Sequence, residues 1–252
     1  LYYSQYVAKP IHINYNIKIE RAESKRAERK SQGEAMPRID DYRQASQIGK
    51  DALAGKNPDL IARFSGAQIA RDGEGRTVLS LNFLNQEVLI PWPELDFLGK
   101  TSREPLPIQQ EILLLHYLNG AWSSSGAGTE GTWIAFQEIP DGRFYLDAFQ
   151  RRAKNPLVQT FGHNPEQLLE LATASFGAKP FDQGDCSMVV TVLPLVPVAL
   201  ILWRGDDEFP PEGNMLFDRS VSRILSAEDV AWLAGMIVYP LIGMAKNAQT
   251  KA

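Results

Sequence analysis

The chain has 252 residues, 44% of them hydrophobic and 22% charged, with a formal net charge of −4; these are the proportions of an ordinary folded domain. The acidic balance offers no electrostatic footprint for nucleic acid. The single cysteine, Cys186, excludes an internal disulfide, a Cys-ligated iron–sulfur cluster and a thiolate zinc site.

Residues 1–35 carry seven Lys or Arg against four Asp or Glu, a balance of +3 that leaves −7 on the remainder. They supply few periodic apolar positions, and Met36 opens a normal-looking domain. The expectation is a disordered arm or a mis-assigned start over 1–35, followed by one α+β domain over 36–252. The N-terminal stretch lacks the continuous apolar run of a secretory signal, which points to a cytoplasmic setting.

From Asp40 to Gly55 the residues Tyr42, Ala45, Ile48, Ala52 and Leu53 share roughly one helical face. Asn57-Pro58 restarts a helix, Asn as N-cap and Pro at the first position, with Leu60, Ile61 and Phe64 as its apolar members. Two strands, Val78–Leu84 and Glu87–Ile90, flank the turn residues Asn85-Gln86, and Pro91 and Pro93 end the second. A helix over 107–119 follows, with Ile108, Ile112 and Leu115 facing the core and Gly120 stopping it.

Residues 120–131 form the one low-complexity stretch, within which Gly126, Gly128 and Gly131 match G-x-G-x-x-G. A dinucleotide site needs a strand before that motif and a helix N-terminus after it. Here a helix precedes and a strand follows, so the stretch reads as a mobile loop able to cover a pocket. Trp133–Ile139 reads as a strand, Asp141-Gly142 as a turn and Tyr145–Lys154 as a helix interrupted by Asn155-Pro156. Asn164 with Gln167 three residues later starts a further helix ending near Gly177.

Residues 187–218 hold the most distinctive pattern. Val189–Leu193 and Val198–Trp203 are apolar with almost no alternation, as strands buried on both faces read. Pro194 and Pro197 belong to the turn between them. The fold class is therefore α+β, a largely antiparallel sheet with a central buried hairpin and helices packed around it. Met215–Phe217 adds a short strand. Ser226 to Asp229 starts a terminal helix whose apolar run, Val230–Ala245, falls short of the roughly 18–20 residues that span a bilayer and reads as a core helix.

The acidic loop Asp206-Asp207-Glu208, with Glu212 and Asp218 nearby, is the sharpest chemical feature. Adjacent carboxylates need solvent, an Arg partner or a hard cation. Alternation along an extended loop would turn Asp206 and Glu208 toward the protein and Asp207 toward water, with Phe209 as an anchor. Arg143, Arg151, Arg152 and Lys154 form a complementary cluster, either a wet helix face or an anion pocket. His116 and His163 share no metal-ligand spacing, no G-x-S-x-G elbow is present, and Asp185 beside Cys186 disfavours a thiolate.

The pattern W-x-G-D-x-E-F…L-F-D, carried here by Trp203, Asp206, Glu208, Phe209, Phe217 and Asp218, resembles an uncharacterised bacterial domain-of-unknown-function family found mainly in anaerobes. The resemblance runs from about Tyr42 to Leu241. Some relatives carry a Cys-rich segment described as an iron–sulfur domain or sit in proteins of corrinoid metabolism, and this chain lacks those cysteines. The resemblance implies no catalytic residues.

The leading expectation is a cytoplasmic domain binding a small molecule near the acidic loop, through Trp203, Asp206, Glu208, Asp218, Arg151 and Arg152. One alternative is a cation-dependent enzyme with Asp206, Glu208 and Asp218 as metal ligands. The other is a protein-interaction subunit docking through the terminal helix. The cofactor, and whether there is catalysis at all, stay open.

Overall fold

The structure is a computed structural model that describes residues 39–250; the expectation for residues 1–35 lies outside the described residues. Helix α1 (Ile39–Leu53) opens with Asp40 and Asp41 and is followed by α2 (Pro58–Ser65). Asn57 caps α2 as expected, its Oδ1 accepting the Asp59 N–H at 2.8 Å. An antiparallel sheet then forms in sequence order from β1 (Gln68–Arg71), β2 (Thr77–Phe83), β3 (Gln86–Pro91) and β4 (Leu98–Gly99). β1 and β4 were not legible in the sequence: β1 is exposed along its whole length and β4 has two residues, so neither carries a hydrophobic pattern. The turn between β2 and β3 is Leu84-Asn85 rather than Asn85-Gln86. Both residues have positive φ, as a two-residue hairpin turn requires.

Helix α3 (Ile108–Ser123) is apolar nearly all round and lies in the core against α1 and α2. Gly120 does not stop it. A Cβ there would lie 1.9 Å from the Ile224 carbonyl oxygen, so glycine at this position permits close approach of two backbones.

The second sheet has the order β5-β9-β8-β7-β6, all antiparallel. β5 is only Trp133–Ala135, because the chain turns into a 3₁₀ segment at Phe136–Glu138. Next comes one continuous helical run: α4 (Gly142–Phe149), a π-helical stretch (Gln150–Lys154) and α5 (Asn155–Phe161). Pro156 was expected to interrupt this run and does not. The wider π turn, closed by the Asn155 N–H on the Gln150 carbonyl, absorbs the missing donor and the ring of the proline. Helix α6 (Pro165–Phe176) follows; Asn164 precedes it but makes no side-chain cap.

β6 (Lys179–Pro180) is a two-residue edge strand. β7 (Cys186–Leu193) and β8 (Val196–Trp203) are the hairpin read from the sequence. Its turn is Pro194-Leu195. Pro197 lies inside β8, opposite Thr191 and beside the irregularity between Thr191 and Leu193, where a ladder donor is dispensable. Met188, Val190, Val192, Val198, Leu200 and Leu202 are fully buried, and β8 is the middle strand. The irregularity leaves the Val192 carbonyl to accept the Leu84 N–H at 2.9 Å, which ties the tip of the first sheet to the second.

β9 (Glu212–Asp218) is longer than the three residues expected. A 3₁₀ segment (Arg219–Arg223) leads to α7 (Ala227–Thr250). This helix extends beyond the apolar run on both sides. Its stretch Ala227–Ala248 is long and apolar enough to cross a membrane by length and composition, but half of it is buried in the domain. Val230, Leu233, Ala234, Ile237, Val238 and Leu241 pack into the core, against α4, the π turn, α5 and α6.

Candidate functional site

The loop from Arg204 to Pro211 joins the end of β8 to the start of β9 and is built by its own backbone. Asp206 Oδ1 accepts the N–H of Glu208 at 2.9 Å and of Phe209 at 2.8 Å, and the Asp206 N–H donates to the Phe209 carbonyl at 2.9 Å. These bonds close a tight turn of the kind Asp side chains favour. Gly205 allows it, since a Cβ there would lie 2.6 Å from the Pro211 nitrogen.

The base of the loop is tethered outward. The Arg204 N–H donates to Asp185 Oδ2 at 2.7 Å, and its guanidinium pairs with Glu166. The expectation for this loop is corrected in two respects. A turned chain does not alternate, so Asp206, Asp207 and Glu208 are all exposed. Phe209 is 66% exposed and anchors nothing. Two backbone N–H groups hold the Asp206 carboxyl below the usual carboxylate range.

The loop and His163 border an open concavity of about 460 Å³. His163 follows Gly162, whose absent side chain gives room to Pro211: a Cβ there would lie 2.8 Å from the proline's own Cβ. The wall therefore offers the carboxylates of Asp207 and Glu208, one imidazole and one aromatic face.

The remaining sequence candidates do not converge on it. Trp203, 38% exposed, closes β8 opposite Glu212. Asp218 stands at the far end of β9, about 20 Å from Glu212 at the usual strand rise. It is 1% exposed and accepts the N–H groups of Glu130 (2.9 Å), Gly131 (2.6 Å) and Ser220 (3.0 Å). One ion cannot touch Asp206, Glu208 and Asp218 together, and the described residues contain no cluster of three or more His, Cys, Asp or Glu able to hold a metal. The metal triad is thus corrected. So is the mobile flap: Asp218 pins the G-x-G-x-x-G stretch, the Arg219 N–H donates to the Thr132 carbonyl at 2.8 Å, and Arg223 pairs with Glu130.

The Arg cluster is dispersed as well. Arg151 pairs with Asp147 at 3.0 Å on the exposed face of α4 and the π turn, while the Arg152 guanidinium lies 5.9 Å from the Trp232 ring. Arg143 lines a second shallow concavity of about 420 Å³ next to Phe144, which is 85% exposed. Neither Arg151 nor Arg152 faces the acidic loop's concavity.

The sequence also concealed a buried pair. His116 on α3 meets Asp229 in the first turn of α7, and both side chains are largely buried. No spacing signalled it, because the partners are remote in the chain. Cys186 donates to the Pro165 carbonyl at 3.3 Å, and burial raises its thiol above its ordinary value.

Residues 57–239 match the model of a family described as a domain of unknown function (DUF3786). No curated protein and no solved structure matches the chain.

Proposed function

Because the chain belongs to the DUF3786 family of domains of unknown function, we propose its function from its own geometry: it is a binding domain for a small organic cation, held at the Arg204–Pro211 loop. The observation that carries this reading is the division of labour within the loop. Asp206 builds the turn through its Oδ1 and lines the same concavity. Asp207, Glu208 and the exposed ring of Phe209 are left over around one concavity. Carboxylates beside an aromatic face suit an ammonium group, which gains from both charge pairing and the ring quadrupole. His163 completes the wall.

The setting we propose is the cytoplasm of an anaerobic bacterium, as the motif resemblance suggests. The test is titration of the protein with a quaternary ammonium, a diamine, Mg²⁺ and acetate, followed by amide chemical shifts. The organic cations should move the Glu208 and Phe209 signals, and acetate should not. Phe209→Ala should weaken organic-cation binding about two- to fivefold, in line with roughly 0.5–1 kcal/mol for an exposed cation–π contact. No response to either organic cation would remove the proposal. A response to Mg²⁺ alone would remove it too, since the loop would then hold a hard cation and no organic one.

A second reading, a protein-interaction subunit, is supported by Phe144, which stands exposed beside Arg143 at the other concavity. The apolar face of α7 is covered by the domain itself, so docking there would rely on Tyr239, 55% exposed.

A further inference from the structure

The first sheet ends in an open edge at β1, which pairs with β2 on one side only. Hydrogen bonding alternates along an antiparallel pair. Its phase is fixed here by the Asp72 N–H, which donates to the Arg76 carbonyl at 2.9 Å just past the last paired residues. Gln68 and Ala70 therefore bond to β2, while the backbone N–H and C=O groups of Ile69 and Arg71 point away from it. The far side of β2 agrees in phase, since the Trp92 N–H donates to the Thr77 carbonyl at 2.9 Å and so turns the odd residues of β2 toward β3. Among the described residues no backbone group bonds to those of Ile69 and Arg71. Ile69 lies opposite Leu79, and Leu79 opposite Ile90. Exposure along this row is 0% at Ile90, 0% at Leu79 and 42% at Ile69. The apolar face of the sheet thus stops at an uncovered isoleucine beside unbonded backbone groups.

Such an edge fits a strand that alternates apolar and polar side chains. At helical spacing residues 1–35 supply few apolar positions, but at a spacing of two they hold one unbroken run. Ile11, Ile13, Tyr15, Ile17 and Ile19 take every odd position, and His12, Asn14, Asn16, Lys18 and Glu20 every even one. This run lies outside the described residues. We propose that β1 is a docking edge and that residues 11–19 of the same chain are its occupant, adding a strand to the first sheet. The odd side chains then continue the Ile90–Leu79–Ile69 row, and the even ones join Gln68 and Ser80 on the other face.

The chemistry of both partners supports this assignment. Residues 11–19 contain no proline or glycine, and their apolar members are β-branched or aromatic, the types that suit a half-buried strand. Edges that stay open are usually guarded by a charged side chain or a proline. The one charge on β1 is no guard, because the Arg71 guanidinium turns back to donate to the Gly75 carbonyl at 3.0 Å. Reach is ample as well. Nineteen residues, 20–38, separate the run from the start of α1; extended, they span roughly 60 Å, more than the width of a domain of this size.

The experiment measures amide hydrogen exchange residue by residue in the full chain, corrected for intrinsic rates, at two protein concentrations about tenfold apart. An open edge leaves Ile69 and Arg71 exchanging like Gly73 in the adjoining turn, while β2 slows Gln68 and Ala70. We expect Ile69 and Arg71 to exchange at least about tenfold more slowly than Gly73, equally at both concentrations. The double variant Ile13→Asn/Ile17→Asn should return both amides to the rate of Gly73 and leave Gln68 and Ala70 slow. Asn14→Ser/Asn16→Ser, on the polar side of the run, should change none of them. Rates matching Gly73 in the unaltered chain would overturn the proposal. So would protection that survives Ile13→Asn/Ile17→Asn, or protection that grows with concentration, which would make a second copy the occupant. The acidic loop takes no part in this readout, so its failure leaves the cation-binding proposal standing, and the reverse.

Discussion

His116 and Asp229 meet across 113 residues of sequence, with the imidazole Nδ1–H donating to Asp229 Oδ1 at 2.7 Å. The other carboxylate oxygen of Asp229 is already occupied at the start of α7, accepting the Ser226 hydroxyl at 2.7 Å and the Ser226 N–H at 3.1 Å. One side chain therefore caps α7 and couples it to α3. Burial works against charge on both partners. For His116 the Asp229 carboxylate, its hydrogen bond and Glu228 outweigh burial and hold the imidazole above its ordinary value. For Asp229 the imidazolium and the Ser226 bonds outweigh burial and hold the carboxyl below its own.

The pH dependence follows with a definite sign. A raised His116 stabilises fully below its unfolded value of about 6.5 and loses that contribution as pH rises through the folded value. A lowered Asp229 stabilises above about 3.9 and loses its contribution as pH falls through the folded value. The pair should therefore contribute most between about pH 4 and 6.5. Urea melts should show wild type losing more stability toward pH 9 than His116→Asn does. Asp229→Asn should cost about 3–5 kcal/mol near pH 6, because the imidazolium is left buried and the cap is broken.

Asp218 should behave as a structural carboxylate. Asp218→Ala strands three backbone N–H groups of the 130–131 and 220 segments, and should cost about 3 kcal/mol or more. Faster amide exchange at Glu130 and Gly131, without change in the organic-cation titration, would separate this anchor from the ligand loop.

Gly120→Ala and Gly128→Ala make a paired test of the glycines around the low-complexity stretch. The first forces a methyl onto the Ile224 carbonyl and should cost at least about 3 kcal/mol in thermal or urea unfolding. The second meets nothing within 4 Å and should change stability by less than about 0.5 kcal/mol.

The central strand offers a direct measure of core packing. Leu200 is completely buried in the middle strand of its sheet. Leu200→Ala should cost about 2–5 kcal/mol, and a smaller cost in urea melts would mean that the site collapses around the cavity.

Within the acidic loop the three carboxylates should separate by role. Asp206→Ala removes the acceptor for the Glu208 and Phe209 amides, so those two should exchange faster with solvent. Asp207→Ala should leave their exchange unchanged while weakening organic-cation binding.

Much of the fold was determined by local chemistry. The apolar runs at 189–193 and 198–203 required a strand pair, which is covered on both faces along β8 only, since Thr191 of β7 is exposed and Val189 half-buried; Asn57-Pro58 required a helix start, and the apolar run after Val230 required burial. Those inferences need only a residue and its near neighbours. Tertiary structure decided the rest, since the relevant partners are distant in the chain or are backbone atoms. Gly120 reads as a helix stop until Ile224 is seen against it. Pro156 reads as a break until the π turn absorbs it. Asp206 and Asp218 look alike in sequence, two acids in one motif. The strand between them sends one into a water-exposed turn and the other under buried backbone amides, which no spacing rule encodes. The His116–Asp229 pair was silent for the same reason: a hydrogen bond between helices depends on how they pack, and packing is a property of the whole chain.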